Sequence, residues 1–374
     1  MPSLQYEAMR RLALICTLIL FTGCDAGSTT SQPAPGPFSD IARDETLVFF
    51  RTAGWLDEER QEWQLPVHGW VFEPEDSTAR RKLFETILEQ KFDLLVNDDN
   101  EANFERRLNL LIADNERGKK IVVEVAGQVH EVPASAENGH FSAILSVPAS
   151  ELVDFMEKGR LPYSAVTKSG ETREFSGEIQ LVAPEGLSIV SDIDDTAKIS
   201  NVTDHKRLLE YTFLRDFAPA PGMADLYAQW SAQDASFHFV SSSPWQLYSP
   251  LEEFLDASGF PWATFSLKAV RFRDETLFDL FKEGTETKPA AIKAILSNYP
   301  GRKFILVGDS GEQDPEVYAD LLREFPQQIV EIYIRNVTGA SADDERFSTV
   351  FSGIAAERWH LFDDPARLHA HNAD

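Results

Sequence analysis

The sequence predicts an α/β fold with an open, doubly wound parallel sheet of Rossmann-like type in residues 185–374. Two observations predict that sheet. Short, wholly apolar runs recur in this half of the chain as LSIV, FHFV, KFILV and IVEIYI, and continuous apolar runs are typical of parallel strands buried on both faces. Helix-compatible stretches separate them, among them GMADLYAQWSA, KPAAIKAILSNY and PEVYADLLREF. Each connection is long enough for a parallel crossover.

Residues 43–184 carry a different pattern, which predicts a β-rich accessory domain with helical insertions. LVFFRTAGW and HGWVFEP are rich in Val, Phe and Trp, as strands are. DSTARRKLFETILEQKF and ANFERRLNLLIADNERG have the apolar spacing of helices, and Gly118 is the expected end of the second. Gly127-Gln128, Asn138-Gly139 and Ser169-Gly170 are the expected turns between later strands. This half contains no catalytic motif.

The N-terminus predicts a lipid anchor. The apolar run LALICTLILF follows two arginines and has ten residues, whereas a spanning helix needs about 20. The next residues, FTGC, resemble a bacterial lipobox, so residues 1–24 are interpreted as a lipoprotein signal peptide that ends at an acylated Cys24. Residues 25–42 are rich in Ser, Pro and Gly and predict a flexible tether. The alternatives are an ordinary cleaved signal and an uncleaved apolar N-terminus with an incidental cysteine. The expected location is the bacterial cell envelope, with the protein on the periplasmic or extracytoplasmic side of a membrane.

The charge of the chain restricts its partners. With 35 Lys and Arg against 61 Asp and Glu, the formal net charge is −26. Such a surface repels phosphate backbones, so nucleic-acid binding is not expected. An anionic substrate would need a metal ion or a local cationic patch. The sequence gives no indication of the oligomeric state.

Acidic residues follow the apolar runs where the carboxyl ends of parallel strands are expected, and ligands bind at those ends in such sheets. Asp192 and Asp194 come directly after LSIV, Asp309 follows KFILV, and Asp314 lies five residues further on. A few hard oxygen ligands in a cleft favour Mg²⁺. An Asp can also attack phosphorus as a nucleophile, and a second Asp beside it can transfer protons.

Two further residues complete the set that phosphoryl transfer requires, because that reaction depends mainly on positioning and on charge neutralisation. Ser241 follows FHFV and could bind phosphate oxygens, although Ser242 and Ser243 are alternatives. Lys288 opens the helical stretch KPAAIKAIL and could neutralise phosphate charge. Trp245 and Tyr248 follow these serines and could line an entry to the site or pack in the core, and packing is favoured.

The order DIDDT, apolar run plus Ser, Lys, then GDSGEQD resembles the four motifs of the haloacid dehalogenase superfamily. More closely, SDIDDTAKIS, TFLRDFAPAPGMADLYAQW, FVSSSPWQLY and RKFILVGDSGEQDPEVYADL resemble the fungal actin-patch phosphatidate phosphatase family and its bacterial relatives. The resemblance covers residues 187 to about 338. GWVFEP and ADNERGKKI also look like the accessory β domain of the bacterial members.

The resemblance implies a haloacid-dehalogenase-like fold and a Mg²⁺-dependent phosphatidate phosphatase that yields diacylglycerol through an aspartyl-phosphate. It implies Asp192 as nucleophile and metal ligand, and Asp194 as general acid and base with its backbone carbonyl on the metal. Asp309 and Asp314 would complete the metal site, with Asp314 in support of it. Thr196, Ser241 and Lys288 would bind the substrate, and Lys288 would also act in catalysis. The partners would be a phospholipid substrate and, through the anchor, a membrane.

Alternatives remain open from the sequence. A phosphatase of the same mechanism could act on another phosphomonoester. A tethered binding module that has lost turnover is the non-enzymatic alternative. KFILVGDSGE resembles the strand, serine turn and helix of a serine hydrolase, but Glu312 stands where that motif requires glycine. Residues 197–236 are too few for a large cap over the site, which favours a bulky lipid substrate.

Overall fold

In the computed structural model, the described residues are 36–156, 159–269 and 287–368. Residues from Pro37 onward form one compact unit. The predicted signal peptide and Cys24 lie outside the described residues. The predicted boundary at residue 43 stays a prediction, although Ser39 and Ile41 are already buried against the β-rich region, where the Ser39 hydroxyl donates to the Val122 carbonyl (2.9 Å).

Nine strands form the β-rich region, and most of them pair in antiparallel fashion. They are β1 (Thr46–Phe49), β2 (Thr52–Asp57), β3 (Glu62–Glu73), β4 (Asp114–Asn115), β5 (Ile121–Val125), β6 (Gln128–Val132), β7 (His140–Pro148), β8 (Arg160–Ala165) and β9 (Ser176–Leu181). The long strand β3 pairs with β1, β2, β4 and β7. Alternate side chains of these strands, such as Leu65 and Val67, point into a shared apolar core.

Two predicted turns in this region differ from the structure. The turn between β5 and β6 is Ala126-Gly127, both at positive φ, and Gln128 already belongs to β6. Asn138-Gly139 does form a turn, but β7, which follows it, pairs with β3 instead of closing a hairpin with β6. The reason is that the core side of β7 is completed by the apolar face of β3.

Three helices belong to the first half: α1 (Thr78–Phe92), α2 (Glu101–Ile112) and the short α3 (Val153–Met156). Ser77 caps α1 by accepting from the Arg80 backbone N–H (3.4 Å). Gly118 does not end α2, because the chain has already turned into β4 at Asp114.

Six strands form a wholly parallel sheet in the second half, which confirms the predicted fold class. They are β10 (Leu187–Ser191), β11 (Ser236–Pro244), β12 (Ala263–Lys268), β13 (Lys303–Asp309), β14 (Ile329–Arg335) and β15 (Trp359–Phe362). The spatial order is β12-β11-β10-β13-β14-β15. Successive strands are therefore added on one side of β10 up to β12 and then on its other side from β13 onward. Folds of this type bind ligands at this switch point between β10 and β13.

Helices cover both faces of this sheet. They are α4 (His205–Leu209), α5 (Met223–Ser231), α6 (Tyr248–Ala257), α7 (Thr287–Asn298), α8 (Asp314–Glu324) and α9 (Glu345–Val350), with a π-helical turn at Glu210–Leu214 after α4. Helices α5 and α6 pack on one face, and α7, α8 and α9 pack on the other. The sheet is therefore doubly wound, as predicted.

The two halves of the compact unit share apolar cores. Phe50, Trp70 and Phe72 of the β-rich region lie in the same core as α5 and α6. Helices α1 and α2 pack against the π-helical turn, which lies within residues 197–236, the segment too short for a large cap. Within the described part of the chain, each helix is either too short or too polar to span a bilayer.

Candidate active site

Three carboxylates converge at the reversal point of the parallel sheet. Asp192 follows β10, Asp309 is the last residue of β13, and Asp314 is the first residue of α8. All three are buried, and one oxygen from each lies within 4.8 Å of the others. The sequence predicted this convergence, because the carboxyl ends of adjacent parallel strands meet at one edge.

The turn between β13 and α8 brings Asp309 and Asp314 together. The Asp309 backbone N–H donates to Asp314 Oδ2 (3.2 Å), and Asp309 Oδ1 accepts from the backbone N–H of Gly311 (2.6 Å). Gly308 permits this close approach, since a Cβ at that position would overlap the Asp314 carboxylate. The turn therefore leaves Asp309 Oδ2 for another ligand.

Lys288 lies among these carboxylates. Its ammonium donates to Asp192 Oδ1 (3.0 Å), Asp314 Oδ1 (2.5 Å) and Glu312 Oε2 (3.4 Å), and the side chain is 8% exposed. Burial alone would lower the pKa of Lys288, but the surrounding carboxylates raise it well above its usual value. Lys288 is therefore a fixed cation beside Asp192.

Asp194 lies beside Asp192 in the sequence but has its own partners. Its Oδ1 accepts from Lys198 Nζ (2.8 Å) and from the Ser200 hydroxyl (2.6 Å). Its Oδ2 accepts from the hydroxyls of Ser243 (2.7 Å) and Ser241 (3.2 Å) at the end of β11. Burial alone would raise the pKa of Asp194, but Lys198 and the hydroxyls lower it to about 2. Asp194 is therefore a carboxylate held in place by four groups.

Asp195 shapes the loop and takes no part in either cluster. It has a positive φ of 56°, and its carboxylate accepts backbone N–H groups of Ser200, Asn201 and Val202 at 2.6–2.9 Å. These bonds fold the chain back so that Lys198 faces Asp194. Three acids within four positions are therefore tolerated because each has a separate set of donors.

The donor set fits a hard divalent cation. Asp192 Oδ2 and Asp309 Oδ2 are buried and have no hydrogen-bond partner among the described residues, and an unpaired buried oxygen is costly. Burial and the neighbouring acids raise the pKa of both Asp192 and Asp309 well above the usual value, despite the opposing charge of Lys288. A cation at this point would remove both penalties, and a few carboxylate oxygens suit Mg²⁺.

The predicted catalytic, substrate-binding and metal-site residues all lie at this edge of the sheet, whereas the predicted lipidation site, Cys24, lies outside the described residues. Thr196 is buried in the loop after Asp194, and its hydroxyl also lacks a partner among the described residues. The sequence reading missed Lys198, Ser200 and Glu312. The signal for Glu312 was its position between Asp309 and Asp314, whereas nothing in the pattern pointed to Lys198 or Ser200.

The serine hydrolase alternative finds no support in the geometry. The Ser310 hydroxyl is 3.0 Å from Thr338 Oγ1 and accepts from the backbone N–H groups of Val337 and Thr338. His360 instead stacks on Tyr333, away from that turn. Ser310 therefore connects two loops and is not paired with a general base.

A known family and two known proteins match the parallel-sheet half of the chain. Residues 187–336 match the family described as phosphatidate phosphatase APP1, catalytic domain. An uncharacterised protein of Schizosaccharomyces pombe is 32% identical over 170 residues, which are 44% of this chain and 27% of that protein. Phosphatidate phosphatase APP1 of Saccharomyces cerevisiae is 34% identical over 168 residues, which are 43% of this chain and 28% of the yeast protein.

Solved structures resemble the chain only distantly. D,D-heptose 1.7-bisphosphate phosphatase from B. bronchiseptica, complexed with magnesium and phosphate, is 12% identical. The alignment covers 48% of this chain and 94% of that chain, with a TM-score of 0.29. At that score the similarity does not bear on the function of this chain.

Proposed function

We propose that the chain is a Mg²⁺-dependent phosphatidate phosphatase, because residues 187–336 match the family described as phosphatidate phosphatase APP1, catalytic domain, which the motifs also resemble. It would hydrolyse phosphatidate to diacylglycerol and phosphate. The observation that supports this proposal most directly is the convergence of Asp192, Asp309, Asp314 and Lys288 at the carboxyl ends of β10 and β13.

The first step is attack of Asp192 on phosphorus. Lys288 holds this carboxylate through Oδ1, and one carboxylate oxygen would form the bond to phosphorus while the other remains for the cation. The bond between phosphorus and the glycerol oxygen breaks, and Asp194 gives that oxygen a proton, which releases diacylglycerol. Asp194 must first gain the proton, and an arriving phosphate dianion favours this because a nearby anion raises a carboxyl pKa.

The second step returns the enzyme to its starting state. Asp194, now a carboxylate, takes a proton from water while the water oxygen bonds to phosphorus and the bond to Asp192 breaks. The products are phosphate, the free Asp192 carboxylate and a protonated Asp194, which keeps this proton for the next first step. Mg²⁺, held by Asp192, Asp309 and Asp314, would neutralise charge on the phosphoryl oxygens when bound.

The remaining polar groups hold the phosphoryl group. Lys288 would supply positive charge, and the Thr196 hydroxyl, which has no partner among the described residues, would donate to the phosphoryl oxygens. The Ser241 hydroxyl donates to Asp194 in this structure and would have to turn to the phosphoryl group to do the same. Ser243 also donates to Asp194, so it shares with Ser241 the positioning of the acid–base residue. These groups explain how so acidic a chain could accept an anionic substrate.

Attachment to a membrane through Cys24 belongs to the same proposal, because an anchored enzyme meets a lipid substrate in the bilayer. Expression in a bacterium followed by membrane fractionation tests the anchor. The wild type should partition with membranes, and Cys24→Ala should move it to the soluble fraction. Equal partitioning of the two would contradict the anchor.

The activity is tested by phosphate release from phosphatidate in mixed micelles, with Mg²⁺ and with a chelator. We expect release that requires Mg²⁺ and disappears in Asp192→Asn, whose circular dichroism should match the wild type. Asp192-dependent release from p-nitrophenyl phosphate without release from phosphatidate would keep the mechanism and refute the lipid substrate. No phosphate release from either substrate would favour a binding module.

A further inference from the structure

A cavity of about 750 Å³ lies between the β-rich region and the edge of the parallel sheet. One wall comes from β2, β3 and β7, and the other comes from β11, β12 and the end of α7. We infer that this cavity binds an acyl chain of the lipid substrate. The inference rests on the proposed function, and it assigns the β-rich region a part in substrate recognition.

The size and lining of the cavity suit a hydrocarbon chain. Its volume is within the range of roughly 300–1,000 Å³ that small-molecule sites occupy, and such sites are lined mainly by apolar side chains. About half of the lining residues are apolar, and they come from both halves of the chain; they include Pro66, Val67, Ile144, Trp245, Phe265 and Leu267. Ile144 is 59% exposed, so a large apolar side chain meets solvent beside the cavity.

The charged and titratable groups of the wall are already satisfied. The Arg51 guanidinium is paired with Asp256 (2.6 Å) and Glu252 (2.8 Å). His238 is hydrogen-bonded to Thr264 (2.8 Å), and burial lowers its pKa to about 3. Burial likewise lowers the pKa of His68 to about 3. Both imidazoles are therefore neutral at pH 7, and these groups offer nothing for a charged ligand.

The cavity is next to the strand that carries the active-site serines. On β11, His238 lines the cavity three residues before Ser241, which is about 10 Å along a strand. Trp245 lines it two residues after Ser243. A lipid whose phosphate lies at Asp192 has its acyl chains separated from the phosphate by the glycerol unit, so one molecule could occupy both places.

A pair of serines on β7 provides a matched test. Ser142 and Ser146 lie on the same exposed face of the strand, but only Ser142 lines the cavity. Ser142→Phe should fill part of the cavity, and Ser146→Phe adds the same side chain outside it. Ser266→Phe, on the opposite wall at β12, is the second filling variant. Thermal unfolding of each variant would establish that it is folded.

The kinetic measurement is kcat/KM for soluble dibutyryl, dihexanoyl and dioctanoyl phosphatidate, each divided by kcat/KM for p-nitrophenyl phosphate. For the wild type this ratio should rise by up to about fourfold for each methylene that enters the cavity. Ser142→Phe and Ser266→Phe should lower the dioctanoyl ratio at least about tenfold, a change that burial of a few methylenes can supply. Ser146→Phe should keep the wild-type ratio. A wild-type ratio that does not change with acyl chain length would overturn the inference. So would a dioctanoyl ratio that neither Ser142→Phe nor Ser266→Phe lowers.

A binding measurement separates failure of the inference from failure of the proposed function. Dioctanoylglycerol carries the acyl chains without the phosphate, so its binding by calorimetry does not depend on catalysis. Binding that Ser142→Phe weakens and Ser146→Phe preserves supports the cavity as an acyl site, even if phosphatidate is not hydrolysed. Equal binding by the two variants refutes it, even if phosphatidate is hydrolysed.

Discussion

Removal of Lys198 should destabilise the protein through Asp194. Lys198 is 2% exposed and its ammonium is 2.8 Å from Asp194 Oδ1. The pKa of Asp194 falls from 3.8 to about 2 on folding, and a shift of that size corresponds to about 2 kcal/mol of stability at neutral pH. Lys198→Met removes the ammonium and leaves a buried carboxylate uncompensated, and a broken buried pair costs about 3–5 kcal/mol. We expect a loss of about 3 kcal/mol at pH 7.

The pH dependence gives the sign of this effect. In the wild type, Asp194 contributes stability above pH 3.8 that is lost as the pH falls through about 2. In Lys198→Met, burial becomes the dominant influence and raises the pKa of Asp194. Protonation of Asp194 at lower pH therefore removes the buried charge and makes the variant less unstable. The difference in the free energy of unfolding between the wild type and Lys198→Met should therefore become smaller from pH 7 to pH 4.

Urea denaturation of the metal-free protein measures the effect, with Asp194→Asn/Lys198→Met as the companion variant. The double variant should recover part of the lost stability, because it no longer buries a lone charge. A single variant as stable as the wild type at pH 7 would refute the reasoning. So would a double variant that is less stable than the single one.

Three further predictions concern the metal site and the buried His68. In a thermal shift assay Mg²⁺ should raise the Tm of the wild type, and Asp309→Asn should lose at least half of that rise. An equal rise in Tm for the two proteins would mean that the ion binds elsewhere. Gly308→Ala introduces a Cβ that overlaps Asp314, so it should cost about 1–3 kcal/mol and weaken Mg²⁺ binding by calorimetry; unchanged values would contradict the close approach. His68 has a folded pKa of about 3 against 6.5 unfolded, so stability should fall as the pH drops below 6.5. His68→Phe should reduce that slope in urea denaturation at pH 7, 6 and 5, and an unchanged slope would argue against a neutral buried His68.

The sequence predicted the parallel strands that are buried on both faces, because continuous apolar runs mark them. It missed β12 and β15, which lie at the two edges of the sheet. Strand β15 has a single buried residue, Phe362, whereas β12 is mostly buried but its sequence ATFSLK is interrupted by polar residues and has no continuous apolar run. Such short segments look like loops in a sequence. The pairing of β7 with β3 was missed because the partner of β7 is decided by packing of its apolar side chains in the core. The turn residues Asn138-Gly139 indicate a turn but do not indicate which strand β7 pairs with.

The site was predictable where residues follow strand ends and hidden where a loop folds back. Asp192 and Asp309 could be placed together from their positions after apolar runs. Lys198 lies in a loop, and its contact with Asp194 requires the left-handed backbone of Asp195 and the hydrogen bonds that hold it. A non-glycine residue at positive φ is uncommon, and although Asp is among the residues that adopt it most often, one sequence does not show which Asp does so. Its consequences became visible only in the folded chain.

The most direct test of the proposed mechanism is a search for phosphate bound covalently to Asp192. The soluble protein would be mixed with Mg²⁺ and phosphatidate labelled at phosphorus, quenched in acid within milliseconds, and mapped by peptide digestion. The account predicts a hydroxylamine-sensitive label on the peptide that contains Asp192 and no label in Asp192→Asn. Rapid phosphate release by the wild type with no label on that peptide, or with the label on another residue, would contradict it.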